Sequence, residues 1–125
     1  MKHFFLLVII TAGILSTAFA QLELPPIFAD DMVLQQTTNA PVWGRAKPGV
    51  KVEVSGSWSG KAVQTTADKR GKWMVNLTTP KAGGPFTVSI KSDEVRVLKN
   101  VLIGEVWICS GQSNMEMPVS GWSTD

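Results

Sequence analysis

The sequence predicts a mainly β protein: an antiparallel β-sandwich over residues 21–101, followed over 102–125 by the first strand and turn of a second, α/β domain. Three observations carry this. Val50, Val52 and Val54 alternate with Lys51, Glu53 and Ser55, and Phe86, Val88 and Ile90 alternate with Thr87, Ser89 and Lys91, the period of strands with one wet face. Turn residues recur every few positions between such runs. Finally, Val106-Trp107-Ile108-Cys109 is a continuous apolar run, the pattern of a strand buried on both faces, and it stops abruptly at Ser110-Gly111.

Residues 1–20 read as an address rather than as part of the fold. Lys2 supplies a positive start, Phe4 to Leu15 an apolar stretch, and Ala18-Phe19-Ala20 an A-x-A cleavage site. The apolar stretch is short for a membrane span, so cleavage after Ala20 and export to the periplasm or cell exterior are expected. Removing the first 20 of 125 residues leaves 105, enough for one small domain.

From Gln21 the elements follow in order. Pro25-Pro26 marks an extended entry. Ile27-Phe28 and Met32-Val33-Leu34 read as short strands around a turn at Ala29-Asp30-Asp31. Neighbouring carboxylates on a strand would point to opposite faces, so turn chemistry explains Asp30-Asp31 better than catalysis does. Pro41 to Gly44 begins a strand, Lys47-Pro48-Gly49 turns the chain, and the Val50–Val54 strand follows. Trp58 lies in a Gly/Ser turn, Ala62 to Thr66 is a strand, and Asp68-Lys69-Arg70-Gly71 is a hairpin turn into Trp73–Leu77. A loop over 80–85 leads to Phe86–Ile90. Asp93-Glu94 then turns into Val95–Leu98, and Asn100 into Val101–Ile103. Trp73, Val75, Leu77, Phe86, Val88 and Ile90 are expected to share one core. A tryptophan on a sandwich face can stack on a sugar ring, but core packing is the favoured role for Trp43 and Trp73, with Trp58 the candidate for exposure. Asn76-Leu77-Thr78 matches a glycosylation sequon within a strand.

The chemistry-bearing stretch is Gly104-Glu-Val-Trp-Ile-Cys-Ser-Gly-Gln-Ser-Asn-Met-Glu-Met117. Gly111 permits a sharp turn, and Ser113 or Asn114 can cap a following helix. A serine at such a strand-to-helix turn exposes its hydroxyl beside unpaired backbone N–H groups at the positive end of a helix dipole, where an oxyanion is favoured. Gly-x-Ser by itself also occurs in ordinary loops. This stretch, however, resembles the nucleophile block of the sialate O-acetylesterase family, within the GDSL/SGNH-type hydrolases. Leu24-Pro-Pro-Ile-Phe-Ala-Asp-Asp-Met-Val-Leu-Gln35 and Ala40-Pro-Val-Trp-Gly-Arg-Ala-Lys-Pro-Gly49 resemble the opening region of the same family. The resemblance implies that the 102–125 segment begins an SGNH-type hydrolase domain and that the chain is an N-terminal fragment. It implies Ser113 as nucleophile, its backbone N–H as an oxyanion donor, and Gly111, Gln112 and Asn114 as supporting residues. The implied substrate is an O-acetylated sugar such as a sialic acid, and the implied histidine and aspartate belong to later segments.

Composition narrows the alternatives. Loss of Lys2 takes the net charge from +2 to +1, and the lysines are scattered, so nucleic acid and anionic membranes have no support as partners. The single histidine, His3, leaves with the leader, so the remaining chain cannot build a Ser-His-Asp triad or a histidine metal site from its own residues. No cofactor or metal is expected. Cys109, the single cysteine, is expected as a buried free thiol in its apolar strand. One strand cannot make a parallel sheet, so the 125-residue chain looks cut, lacks the remainder of its catalytic domain and is expected to be inactive alone. The competing expectation is a non-catalytic exported β-sandwich that binds glycan or a partner domain.

Overall fold

The computed structural model describes residues 21–112. Seven strands make up the regular structure, with no helix among the described residues: β1 (Val33–Gln35), β2 (Asn39–Arg45), β3 (Lys51–Gly56), β4 (Ala62–Thr66), β5 (Lys72–Thr78), β6 (Gly83–Lys91) and β7 (Val95–Gly104). They form a five-stranded sheet in the order β1-β7-β6-β3-β4 and a separate two-stranded sheet, β2-β5.

Alternation in the sequence sets which face of each strand is buried. In β2, Ala40, Val42 and Gly44 are buried while Pro41, Trp43 and Arg45 are exposed. In β5, Trp73, Val75 and Leu77 are buried while Lys72, Met74 and Asn76 are exposed. Val52 and Val54 of β3, Val88 and Ile90 of β6 and Val101 of β7 are fully buried and join the β2–β5 residues in one apolar cluster. The expected core therefore forms, except that Phe86 is only half-buried, its ring edge-on to Trp58 at 5.5 Å. Gly44 is required by close approach: a Cβ there would lie 2.4 Å from the Glu23 carbonyl oxygen and 2.9 Å from the Trp73 ring. That closeness lets the entry segment bridge β2, with Glu23 and Arg45 exchanging backbone N–H···O bonds of 2.9 Å each.

Three local expectations are corrected. The sheet is not purely antiparallel: β1 runs parallel to β7, Val33 to Gln35 opposing Leu102 to Gly104. The reason lies in the Ala29–Asp31 turn, which docks on the middle of β7. Asp30 Oδ1 accepts from the Lys99 N–H at 2.7 Å, Asp31 Oδ1 from the Asn100 side-chain amide, and the Asp31 N–H donates to the Lys99 carbonyl at 3.0 Å. The acidic pair is thus a turn element, as expected, but Ile27-Phe28 is part of that turn and not a strand. The second correction concerns Val95–Leu98 and Val101–Ile103, which fuse into β7. Asn100 passes through the left-handed region at φ 53° without ending the strand, a conformation asparagine tolerates. Third, the Asp68–Gly71 turn does not close a hairpin, because β4 and β5 lie in different sheets. Its local chemistry is nonetheless that of a tight turn: Asp68 Oδ1 accepts from the Arg70 and Lys72 N–H groups at 2.7 and 2.9 Å, and Gly71 adopts φ 76°.

Candidate active site

β7 delivers the chain to the Gly111-Gln-Ser-Asn-Met115 motif, and two consecutive glutamines fix how it leaves. Gln35, the last residue of β1, pairs with Gly104, the last of β7. The Gln36 N–H donates to the Gly104 carbonyl at 2.8 Å. The Glu105 carboxylate accepts from Gln35 Nε2 at 3.0 Å and from Gln36 Nε2 on its other oxygen, and the Val106 N–H donates to Gln35 Oε1 at 2.8 Å. Gln36 Oε1 accepts from the Ala82 N–H at 2.8 Å, tying the clamp to the entrance of β6. β7 thus carries the sheet through Gly104, beyond residue 101.

Beyond Val106 these contacts cease. Trp107 and Ile108 are 82% and 94% exposed, and residues 105–112 have no strand or helix. The expected buried strand Val106–Cys109 is therefore not formed, and Cys109 is an exposed free thiol instead of a buried one. The physical reason is that a strand needs a hydrogen-bonding neighbour and a doubly apolar strand needs cover on both faces. The ladder with β1 ends at Gly104. Gly111 and Gln112 are exposed at the end of the described residues, and Ser113 and Asn114 lie outside them. The structure therefore brings the chain to the start of the motif without placing Ser113, and no group of three or more His, Cys, Asp or Glu among the described residues could hold a metal ion.

Hydrogen bonds from the Gln35 side chain, and then from that of Gln36, hold the Glu105 carboxyl below its usual range. A carboxylate with a depressed folded pKa contributes its hydrogen bonds above the ordinary glutamate value of about 4.3 and loses them as pH falls through the lower folded value. Acid titration is therefore expected to shift the Gln35 and Gln36 side-chain amide resonances at a midpoint below that ordinary value, and Glu105→Ala should abolish the step. A midpoint at or above the ordinary value would show that the clamp does not form.

The clamp was not read from the sequence, since 69 to 71 residues separate its partners and no local pattern links them. The exposure of Trp43 was missed as well, although its place opposite Ala40, Val42 and Gly44 in the alternation of β2 signals it. Trp43 is 39% exposed, with its ring edge-on to Phe28 at 4.7 Å, whereas Trp73 is buried as expected. Trp58 is half-buried, its Nε1–H donating to the Thr78 carbonyl at 3.0 Å.

No protein-family model matches the chain. It is 38% identical over 100 residues to the sialate O-acetylesterase of Homo sapiens, a match covering 72% of this chain and 19% of the human protein. It is 40% identical over 100 residues to the sialate O-acetylesterase of Mus musculus, covering 71% of this chain and 18% of that protein. Among solved structures, a carbohydrate acetylesterase from Xanthomonas citri superposes with a TM-score of 0.73 at 38% identity, covering 80% of this chain and 23% of that one. The chain thus spans about a fifth of the length of the curated relatives it matches. By sequence it is similar to a segment of that length in the sialate O-acetylesterases.

Proposed function

We propose that this chain is the N-terminal part of an exported carbohydrate O-acetylesterase, with residues 1–20 as a signal peptide and the two β-sheets as a sandwich preceding an SGNH-type hydrolase domain that starts at about residue 102. The observation that carries the reading is the 38% identity to sialate O-acetylesterases across 100 residues, taken with the Gly111-Gln-Ser-Asn-Met115 motif. In this reading Ser113 Oγ attacks the acetyl carbonyl carbon while its proton passes to a histidine base from a segment outside this chain. The resulting oxyanion is held by the Ser113 backbone N–H and further donors. The C–O bond to the sugar breaks, the sugar oxygen leaves as an alcohol carrying the proton, and water then cleaves the acetyl-serine to acetate. Gln112 and Asn114 support the turn. The glutamine clamp on Glu105 gives the motif a fixed starting direction from β7.

The substrate proposed is an O-acetylated sugar, with a sialic acid the first to test. A serine hydroxyl carries no appreciable alkoxide at neutral pH without a base in reach. The 125-residue chain is therefore expected to hydrolyse aryl acetates and O-acetylated sialic acid no faster than its Ser113→Ala variant, whereas a protein extended by the missing hydrolase segments is expected to turn both over. Turnover by the short chain well above that of Ser113→Ala would sink the assignment of the base to later segments. An extended protein without esterase activity would sink the function.

A further inference from the structure

Cleavage after Ala20 would make Gln21 the first residue of the exported chain. The fold takes hold one residue later. Leu22 is 3% exposed within the apolar cluster, and its N–H donates to Glu94 Oε1. The Glu23 backbone is then paired with that of Arg45. Gln21 stands outside this anchored run. It is exposed, it borders a surface pocket of about 430 Å³ with Lys47, Ser92, Asp93 and Glu94, and its carboxamide has no hydrogen-bond partner among the described residues.

We propose, resting on residues 1–20 as a leader, that Gln21 is a modification site at which the new N-terminus closes on its own side chain to a pyroglutamate ring. The uncharged α-amine attacks Cδ of the Gln21 carboxamide, the Cδ–Nε2 bond breaks, and Nε2 leaves as ammonia with one amine proton. A lactam remains, and no co-reactant is consumed. Proximity favours the step, because nucleophile and carbonyl belong to one residue. An α-amine has an ordinary pKa of about 7.7–8.0, so a fraction is uncharged at neutral pH. Asp93 and Glu94 nearby favour the ammonium and slow the attack, but ammonia is lost to solvent, so the ring accumulates. The fold decides the rest. Every ring atom comes from Gln21, whose side chain is exposed and untied, so closure leaves the Leu22 N–H and its buried side chain where they are. Had residue 21 been the anchored one, closure would break a hydrogen bond and uncover an apolar side chain.

The test is mass spectrometry of the full 125-residue chain, expressed with its leader in a secreting host and held at neutral pH after purification. Expected is an N-terminal peptide that begins at residue 21, is one ammonia lighter than its sequence and carries no free α-amine. The Gln21→Ala variant should keep its full mass and its amine, and the Leu22 N–H should exchange with solvent equally slowly in both proteins. A peptide that begins at Gln21 and keeps its full mass would overturn the ring while the leader reading stands. A chain that begins elsewhere would overturn the leader reading and the ring with it. Ammonia loss that persists in Gln21→Ala would place the loss at another residue, and a Leu22 N–H that exchanges faster once the ring has closed would show that closure disturbs the anchored run. Either result overturns the proposal.

Discussion

Replacing Ser113 with alanine in a protein that carries the remaining hydrolase segments is expected to lower kcat by a factor on the order of 10⁶, the size of loss seen when a serine hydrolase gives up its nucleophile. KM for an O-acetylated sugar should change far less, since the alanine removes a bond made during the reaction and leaves the groups that hold the sugar in place. Stopped assays of acetate release by the two proteins measure both quantities. A residual rate within about tenfold of the parent would show that the acetyl group is attacked by something other than Ser113. Destabilisation of the fold is not expected to confound the comparison, because Ser113 follows β7 in the sequence and the apolar cluster of the described residues is complete by Ile103.

The second large effect concerns the fold. Leu77→Ala is expected to destabilise the domain by roughly 2–5 kcal/mol, the cost of emptying a well-packed leucine site. Leu77 is 2% exposed and opposes Ala40 across the two-stranded sheet, so no larger neighbour on that strand can relax into the space. A domain this small has only about 5–15 kcal/mol in total, so the loss approaches the limit of folding. Phe86→Ala should cost less, because Phe86 is half-buried and part of its contact is the edge of Trp58. Urea unfolding followed by tryptophan fluorescence separates the two, and a Leu77→Ala midpoint equal to the parent's would place Leu77 outside the core.

The strands that could be read from the sequence were those whose faces differ. β3 and β5 alternate cleanly because each has one wet side, and Ala62–Thr66 falls where the turn residues on either side leave it no other place. Pairing direction was illegible: β1 is three residues long, and its parallel alignment follows from where Asp30 and Asp31 grip β7, some 69 residues later. β7 was divided in two because Asn100 looks like a turn, and in isolation it is one; the side chains of Asp30 and Asp31 stabilise the interruption, which leaves the strand intact. The apolar run at Val106–Cys109 failed for the opposite reason. Its pattern describes a strand with neighbours, and the described residues provide none. At the candidate site the motif around Ser113 could be singled out from the sequence but lies largely outside the described residues, whereas the Gln35–Gln36–Glu105 clamp at the end of β7 depends wholly on distant residues.

The parallel pairing of β1 with the end of β7 also orders events in time. During synthesis, Val33 to Gln35 emerge early and wait until residues 102–104 arrive before they can dock. Loops of that length close at an entropic cost that grows slowly with length, but nothing offsets it until both ends are present. Folding of the five-stranded sheet is thus completed by the residues that lead into the motif, so a nascent chain reaches Ser113 at the moment its β-structure can first close.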